Sequence, residues 1–226
     1  MTVSTGDQAY ERPAYPVVIE VEPDRGDRNR LTVAFRLILA IPHAILVGGP
    51  PIVLGAGIGS LNDNGWFIGG WEGGVIGAVA GVCAIIAWFA ILFANQHPRG
   101  LWDLAHFYMR WRARALPYMM LLRDEYPPFG DGDYAARFAV DFPEAARNKW
   151  SVGLRVFYLI PHIVLLFFLW IAWFVTAVIA WFAILFTGRY PESMIDFAVG
   201  VLRWSLRVEA YGLLMRDEYP PFSLGA

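Results

Sequence analysis

Two arginine–histidine pairs are the residues whose types and spacing could do chemistry. Arg36 and His43 lie seven positions apart, and Arg155 and His162 repeat that spacing. Seven residues bring two side chains back to one face of a helix. The histidine then sits about 10 Å further along the axis than the arginine. Each histidine follows a proline, Pro42 or Pro161, inside an apolar run. Three chemistries are open. In a structural reading the proline frees a helix carbonyl. The histidine then bonds that carbonyl or a polar group of the other copy, and the arginine reaches back to the membrane interface. In a second reading a twofold relation brings His43 and His162 together, where two imidazoles could hold a b-type haem or a metal. In a third, Arg36 and Arg155 hold lipid phosphates or an anionic ligand between the copies, for which guanidinium geometry is suited. The structural reading is favoured, because intramembrane polar groups need partners. Nothing else in the chain supports a cofactor, and none is expected.

The pairs recur because the chain is written twice. Ala87–Phe93 (AWFAILF) returns as Ala180–Phe186, and Arg123–Phe129 (RDEYPPF) returns as Arg216–Phe222, both offset by 93 residues. Arg36 with Ile41-Pro42-His43 returns as Arg155 with Ile160-Pro161-His162, offset by 119. The difference of 26 residues is one insertion in the first copy. It falls in a Gly-rich stretch, 48–75, that holds ten glycines. The chain therefore divides into a polar N-terminal tail (1–14), a first repeat (15–129), a short linker (130–133) and a second repeat (134–226).

Composition sets the environment. The chain is 57% hydrophobic and 17% charged, far more apolar than an ordinary soluble domain. Val75–Phe93 and Val156–Thr187 carry no charge. Such runs are long enough to cross a bilayer. The first 30 residues are polar, so no signal peptide is expected there. Cys83 is the one cysteine and reads as a small buried residue. A net charge of −2 gives no reason to expect a nucleic-acid partner.

Each copy resolves into four parts. Residues 15–22 and 134–141 alternate as short strands ended by Pro23 or Pro143. They could pair with each other or with another chain. Next come apolar hairpins: 31–54 with 75–95 in copy one, and 150–187 in copy two. A single helix over that last stretch would be about 57 Å long, against a hydrocarbon core of ~30 Å. A turn near 169–174, where the insertion aligns, would divide it into two helices that just span the bilayer, with hairpins that dip in without fully crossing as the alternative. A helix then opens after Pro98 or Pro191 and runs to about Leu122 or Met215. Asp103, Arg110 and Arg114 on it match Asp196, Arg203 and Arg207. This charged stripe would be costly inside a bilayer. It suits an amphipathic helix lying at the interface, with Trp111, Trp204 and Tyr211 at headgroup depth. The stripe reads as a solvated face or as salt bridges across the twofold. The RDEYPPF segment closes each copy, its prolines ending the helix.

The fold class expected is thus all-α integral membrane. Four transmembrane helices form two tandem hairpins, with interfacial amphipathic helices and short flanking β-strands. Basic residues avoid the insertion, so the positive-inside rule puts both termini in the cytoplasm. The copies would be parallel about an axis along the membrane normal. Trp66, Phe67 and Trp71 of the insertion would anchor at the outer interface.

The residues resemble a bacterial membrane family known as domain of unknown function 4389. The likeness is carried by Arg155, Pro161-His162, Trp181-Phe182, Phe186 through Pro191, Arg203-Trp204 and Tyr219-Pro220-Pro221-Phe222. Copy one departs at Ala94–Pro98 and by its insertion. The resemblance implies a membrane-embedded tandem domain and carries no activity with it.

No Ser-His-Asp set, phosphate loop, HExxH or metal-spaced cluster occurs in the sequence, so an enzyme is not expected. The leading expectation is a non-enzymatic scaffold or accessory subunit of a larger bacterial inner-membrane assembly. It would be multi-pass, with membrane lipids and a membrane-protein partner or a second copy as its company. The alternative is a lipid- or anion-binding transporter or channel lined by Arg36, His43, Arg155 and His162.

Overall fold

The computed structural model describes residues 15–50, 73–145 and 147–225. The N-terminal tail and most of the Gly-rich insertion, with Trp66, Phe67 and Trp71, lie outside the described residues. Among the described residues the chain is mostly helical, with one two-stranded sheet. In chain order the elements are β1 (Val18–Val21), α1 (Arg30–Ala34), α2 (Arg36–Val47), α3 (Gly74–Ala94), α4 (Arg99–Met119), β2 (Ala136–Ala139), α5 (Lys149–Gly153), α6 (Arg155–Thr187) and α7 (Glu192–Gly212).

The two strands pair with each other, antiparallel, with Val18 opposite Ala139 and Ile19 opposite Phe138. Ile19 and Phe138 are themselves counterparts at the offset of 119. A residue paired with its own counterpart marks the pseudo-twofold axis, which runs through this pair. Val17, Ile19, Val21, Ala136 and Phe138 point into the core. Glu20 and Arg137 are directly paired on the exposed face.

The second copy corrects the expected hairpin. α6 is one unbroken helix of 33 residues, about 50 Å long, and it passes through 169–174 without a turn. No glycine or proline stands there to end it, and none of the residues present breaks a helix. Among the described residues two helices, α3 and α6, are long and apolar enough to cross a membrane. α2 is apolar but only 12 residues long. At the two repeat offsets α2 matches 155–166 and α3 matches 167–187, so together they cover α6 end to end. The insertion has cut one long helix in two.

The cut ends stay together. A Cβ added at Gly74 would lie 2.6 Å from both Gly48 N and Ile45 O. Gly74 also has φ +65°, a conformation that glycine adopts without steric cost. The buried stripe confirms the match: Arg155, Leu159, His162, Leu166, Trp170, Trp173, Ala180 and Ile184 of α6 answer Arg36, Ala40, His43, Val47, Gly77, Ala80, Ala87 and Ile91. Where copy two has Trp170, copy one has Gly77. Tyr108 fills the space there, its hydroxyl 2.9 Å from where a Gly77 Cβ would be. The counterpart of Tyr108 is the smaller Val201.

Excising residues 48–73, so that Val47 joins Gly74, is expected to restore a helix like α6. Circular dichroism should show helix content per residue preserved and a melting temperature within a few degrees of the parent. Loss of cooperative melting would contradict the split-helix account.

α4 and α7 are the core of the molecule, which corrects the headgroup depth expected for their aromatic residues. Trp111 and Trp204 are 7% exposed and Tyr211 1%, too buried to sit among lipid headgroups. Both helices end in a tight reversal. Leu122 N–H bonds Pro117 O, and Met215 N–H bonds Ala210 O. Leu121 and Leu214 take the left-handed position at φ 61°, where glycine is the common choice.

The copies exchange their ends. α1 lies beside the end of α6, where Trp181 Nε1–H donates to Val33 O at 3.1 Å. α5 lies beside the end of α3, where Trp88 Nε1–H donates to Val152 O at 2.9 Å. Asn29 and Asn148 cap α1 and α5 with their side-chain oxygens, as N-cap residues do.

Candidate functional site

Each copy builds the same polar site where the start of its long helix meets the RDEYPPF segment. In copy two Asp217 is the centre. Its Oδ1 accepts from Arg147 Nη2 at 2.6 Å and Arg155 Nη2 at 2.7 Å, and its Oδ2 accepts from Arg147 Nε and the Asn148 amide. In copy one Asp124 accepts from Arg28 and Arg36, each at 2.7 Å, and from the Asn29 amide. Burial alone would push both carboxyls up. In copy one the Arg28 hydrogen bond, with Asn29 and Arg36, holds Asp124 below its ordinary value of 3.8. In copy two the Arg147 contacts, with Asn148 and Arg155, do the same for Asp217.

The arginines also cap helices. A helix C-terminus leaves carbonyls without partners and favours positive charge. Arg36 Nη1 donates to Tyr118 O and Arg123 O. Arg155 Nη1 donates to Tyr211 O and Arg216 O. Arg28 and Arg147 take the carbonyls of Leu121 and Leu214. Arg36 stacks 4.0 Å over the Tyr118 ring, and Arg155 4.2 Å over Tyr211. Both arginines are 2% exposed. They do not reach back to the interface, which corrects that part of the expectation: the carboxylate and carbonyls of their own copy take the Nη groups, and the Nε of each is buried without a hydrogen-bond partner.

The histidines are fully buried and do not meet. Trp111 Nε1–H donates to His43 Nδ1 at 3.1 Å, and Trp204 Nε1–H donates to His162 Nδ1 at 3.0 Å. An Nδ1 that accepts is unprotonated, so a neutral ring carries its proton on Nε2. Phe129 stacks on His43 at 4.5 Å and Phe222 on His162 at 4.1 Å, with Tyr126 and Tyr219 tilted against them. Each imidazole is thus closed in by the Trp, Tyr and Phe of its own copy. The facing pair needed for a shared haem or metal is not formed, and the freed helix carbonyl is not the histidine's partner. Among the described residues no group of three or more His, Cys, Asp or Glu could hold a metal.

The stripe arginines bond within their own copy, whereas Asp196 does bridge the copies, through Arg25 of the first repeat. Arg110 pairs with Asp131 at 2.8 Å, and Arg114 donates to Gly130 O. Arg207 donates to Gly225 O at 2.8 Å. These arginines hold the tail after each RDEYPPF segment onto its own helix. Asp103 is exposed. Asp196 pairs with Arg25 at 2.5 Å. Arg203 is half-buried, and the position matching Asp131 is occupied in copy two by Leu224, not an acid.

One buried polar cluster belongs to copy one's cut helix alone. Arg112 Nη1 donates to Val47 O, the last carbonyl of α2, and Arg112 Nε to Glu209 Oε2 at 2.8 Å. Tyr108 donates to Glu209 Oε1 at 2.6 Å. Burial pushes the Tyr108 hydroxyl well up, so it stays a donor, although Arg112 acts the other way. In copy two the counterpart of Arg112 is Ser205, which bonds Val201 O of its own helix. The carbonyl exposed by the cut needs a cap, and the intact helix does not.

Sequence reasoning missed Arg28, Arg147, Asn29 and Asn148, although Arg-Asn recurs at the same offset of 119 and could have shown them. It missed Tyr108, Arg112 and Glu209 because a search for shared residues passes over unshared ones. Two clefts, of about 480 and 410 Å³, lie at Arg25–Asp27 with Arg189 and at Asn148 with Trp150. Neither is lined by Arg36, His43, Arg155 or His162.

The fold and its sites define a tandem-repeat helical protein with two long apolar helices and a duplicated Asp–Arg and His–aromatic clamp. Residues 73–130 and 149–223 match the family described as a domain of unknown function (DUF4389). The two matches cover more than half of the chain, and it belongs to that family. The first begins where the cut helix resumes and the second takes in the whole uninterrupted helix α6, so the insertion accounts for their unequal lengths. No curated protein and no solved structure matches the chain.

Proposed function

We propose that this protein is a non-enzymatic scaffold or accessory subunit of a larger assembly in the bacterial cytoplasmic membrane, with its termini on the cytoplasmic side. One observation carries the reading. The hydrogen bonds of the polar groups common to both copies are made within the fold, to helix carbonyls, to each other and to a buried indole N–H, and the histidine Nε2 atoms, which make none, are shut in by protein. Catalysis needs groups aimed at a substrate, and these are turned into the protein.

The long helices support the membrane part. Only 22% of the most apolar stretch of each is buried. Phe93, Phe157, Phe168 and Phe186 are among the large apolar side chains left exposed. A patch of this extent marks an interaction surface or a membrane contact.

Gentle affinity purification from native membranes with mass spectrometry tests the proposal. A stoichiometric membrane-protein partner is the expected result. A lone protein that carries a tightly held lipid or anion would overturn it in favour of ligand handling.

A further inference from the structure

The pseudo-twofold and the exchanged ends together fix how the long helices lie. Points related by a twofold axis have the same height along it. The start of α2 and the start of α6 are such points. The start of α2, carried by α1, touches the end of α6: Arg28 N–H donates to Gly188 O at 2.8 Å and Trp181 to Val33 O. The start of α6 touches the end of α3 in the same way through Trp88 and Val152. Start and end of each long helix are therefore level, and both long helices lie perpendicular to the axis.

Two orientations in a bilayer remain. With the axis in the membrane plane, the helices cross in opposite directions and the sheet sits at mid-depth. The sheet lies on the axis and carries Glu20 and Arg137 on its exposed face. A charged side chain at the bilayer centre costs about 2.5–3.5 kcal/mol on insertion scales. With the axis along the normal, the sheet stands in water at one end and the helices run along the membrane. Arg189 with Asp27 at one end of α6, and Lys149 and Asn148 at the other, then lie at one headgroup level.

Dimensions agree with the second arrangement. α6 is about 50 Å long and would overshoot a ~30 Å hydrocarbon core if upright. A helix is about 10 Å across, which one leaflet of roughly 15 Å can hold. An interfacial helix ordinarily keeps a polar face towards water. Here the buried stripe of α6 meets protein instead, and the remaining circumference is free for acyl chains.

We propose that the protein is monotopic: α2–α3 and α6 lie parallel to the membrane plane and fill the acyl region of one leaflet without crossing to the other. This rests on the membrane location proposed above and replaces the multi-pass arrangement expected from the sequence.

Thiol labelling tests it. In a Cys83→Ala background, Lys149→Cys and Arg189→Cys place single thiols at the two ends of α6. Arg30→Cys and Arg99→Cys flank the split helix as a second pair, in case one variant fails to fold. Sealed right-side-out and inverted vesicles are treated with a membrane-impermeant maleimide. Both thiols of a pair are expected to label from the same side. Labelling of the two ends from opposite sides would overturn the proposal while leaving the membrane location intact. Release of the chain from membranes at alkaline pH as a soluble dimer would put a second copy on the apolar face. That result would overturn both readings.

Discussion

Replacing Asp217 with alanine is expected to cost about 3 kcal/mol of stability, the low end of the range for breaking a buried ion pair. The reason is what it leaves behind. Arg147 and Arg155 side chains are 2% exposed and share this carboxylate. Without it both remain charged, buried and turned towards the C-terminus of α7. The low end applies because Asp217 is itself 25% exposed, so water can take part of its place. At about 2–4 °C per kcal/mol for a chain of this size, the melting temperature in mild detergent should fall by roughly 6–12 °C. Asp217→Asn keeps the shape and an acceptor and should lose less. Asp124→Ala should behave alike, since Asp124 also holds two buried arginines. The same site sets an acid limit. Both carboxyls are held below the ordinary 3.8 in the folded chain. Their contribution is therefore complete above that value and is lost as pH falls through the lower folded value. Melting followed from pH 6 downwards should show this loss, and Asp217→Asn should shrink it.

Glu209→Ala is expected to cost about 3–5 kcal/mol. Glu209 is 10% exposed and Arg112 6%, so water cannot replace the lost partner. The change also removes the acceptor of the buried Tyr108 hydroxyl, and an unsatisfied buried donor adds about 1–3 kcal/mol when nothing relaxes. The effect should show as a large drop in the denaturation midpoint. Removing both charges separates the two causes. Arg112→Met with Glu209→Leu should recover part of the loss, because an apolar pair of similar volume can replace a buried ion pair. Recovery would be incomplete, since Val47 O loses the cap that Arg112 gives it. A double variant no better than Glu209→Ala would show that the charge pair is not the cause.

The repeat made much of this fold legible. Arg36, His43, Arg155 and His162 stood out because they recur, and they do anchor the two matching sites. Their partners were harder to see. Trp111 and Trp204 read as headgroup anchors, since indole favours that depth, but each is buried as the donor to a histidine. α4 and α7 looked interfacial because their charged stripe is real. The stripe binds the following tail, and their other faces are covered by the sheet and the long helices. The turn expected at 169–174 came from a length argument that took for granted an upright helix. Nothing in the local residues asks for a turn, and the helix continues. The cap on the cut helix, Arg112 with Glu209, depends on a contact between the copies that spacing along the chain does not reveal.

The claim on which the rest depends is that the exposed apolar sides of α3 and α6 are covered by lipid. Alkaline carbonate extraction of native membranes tests it most directly. The account predicts that the chain stays in the membrane pellet and leaves it only with detergent. Recovery of folded protein in the aqueous supernatant would contradict the account.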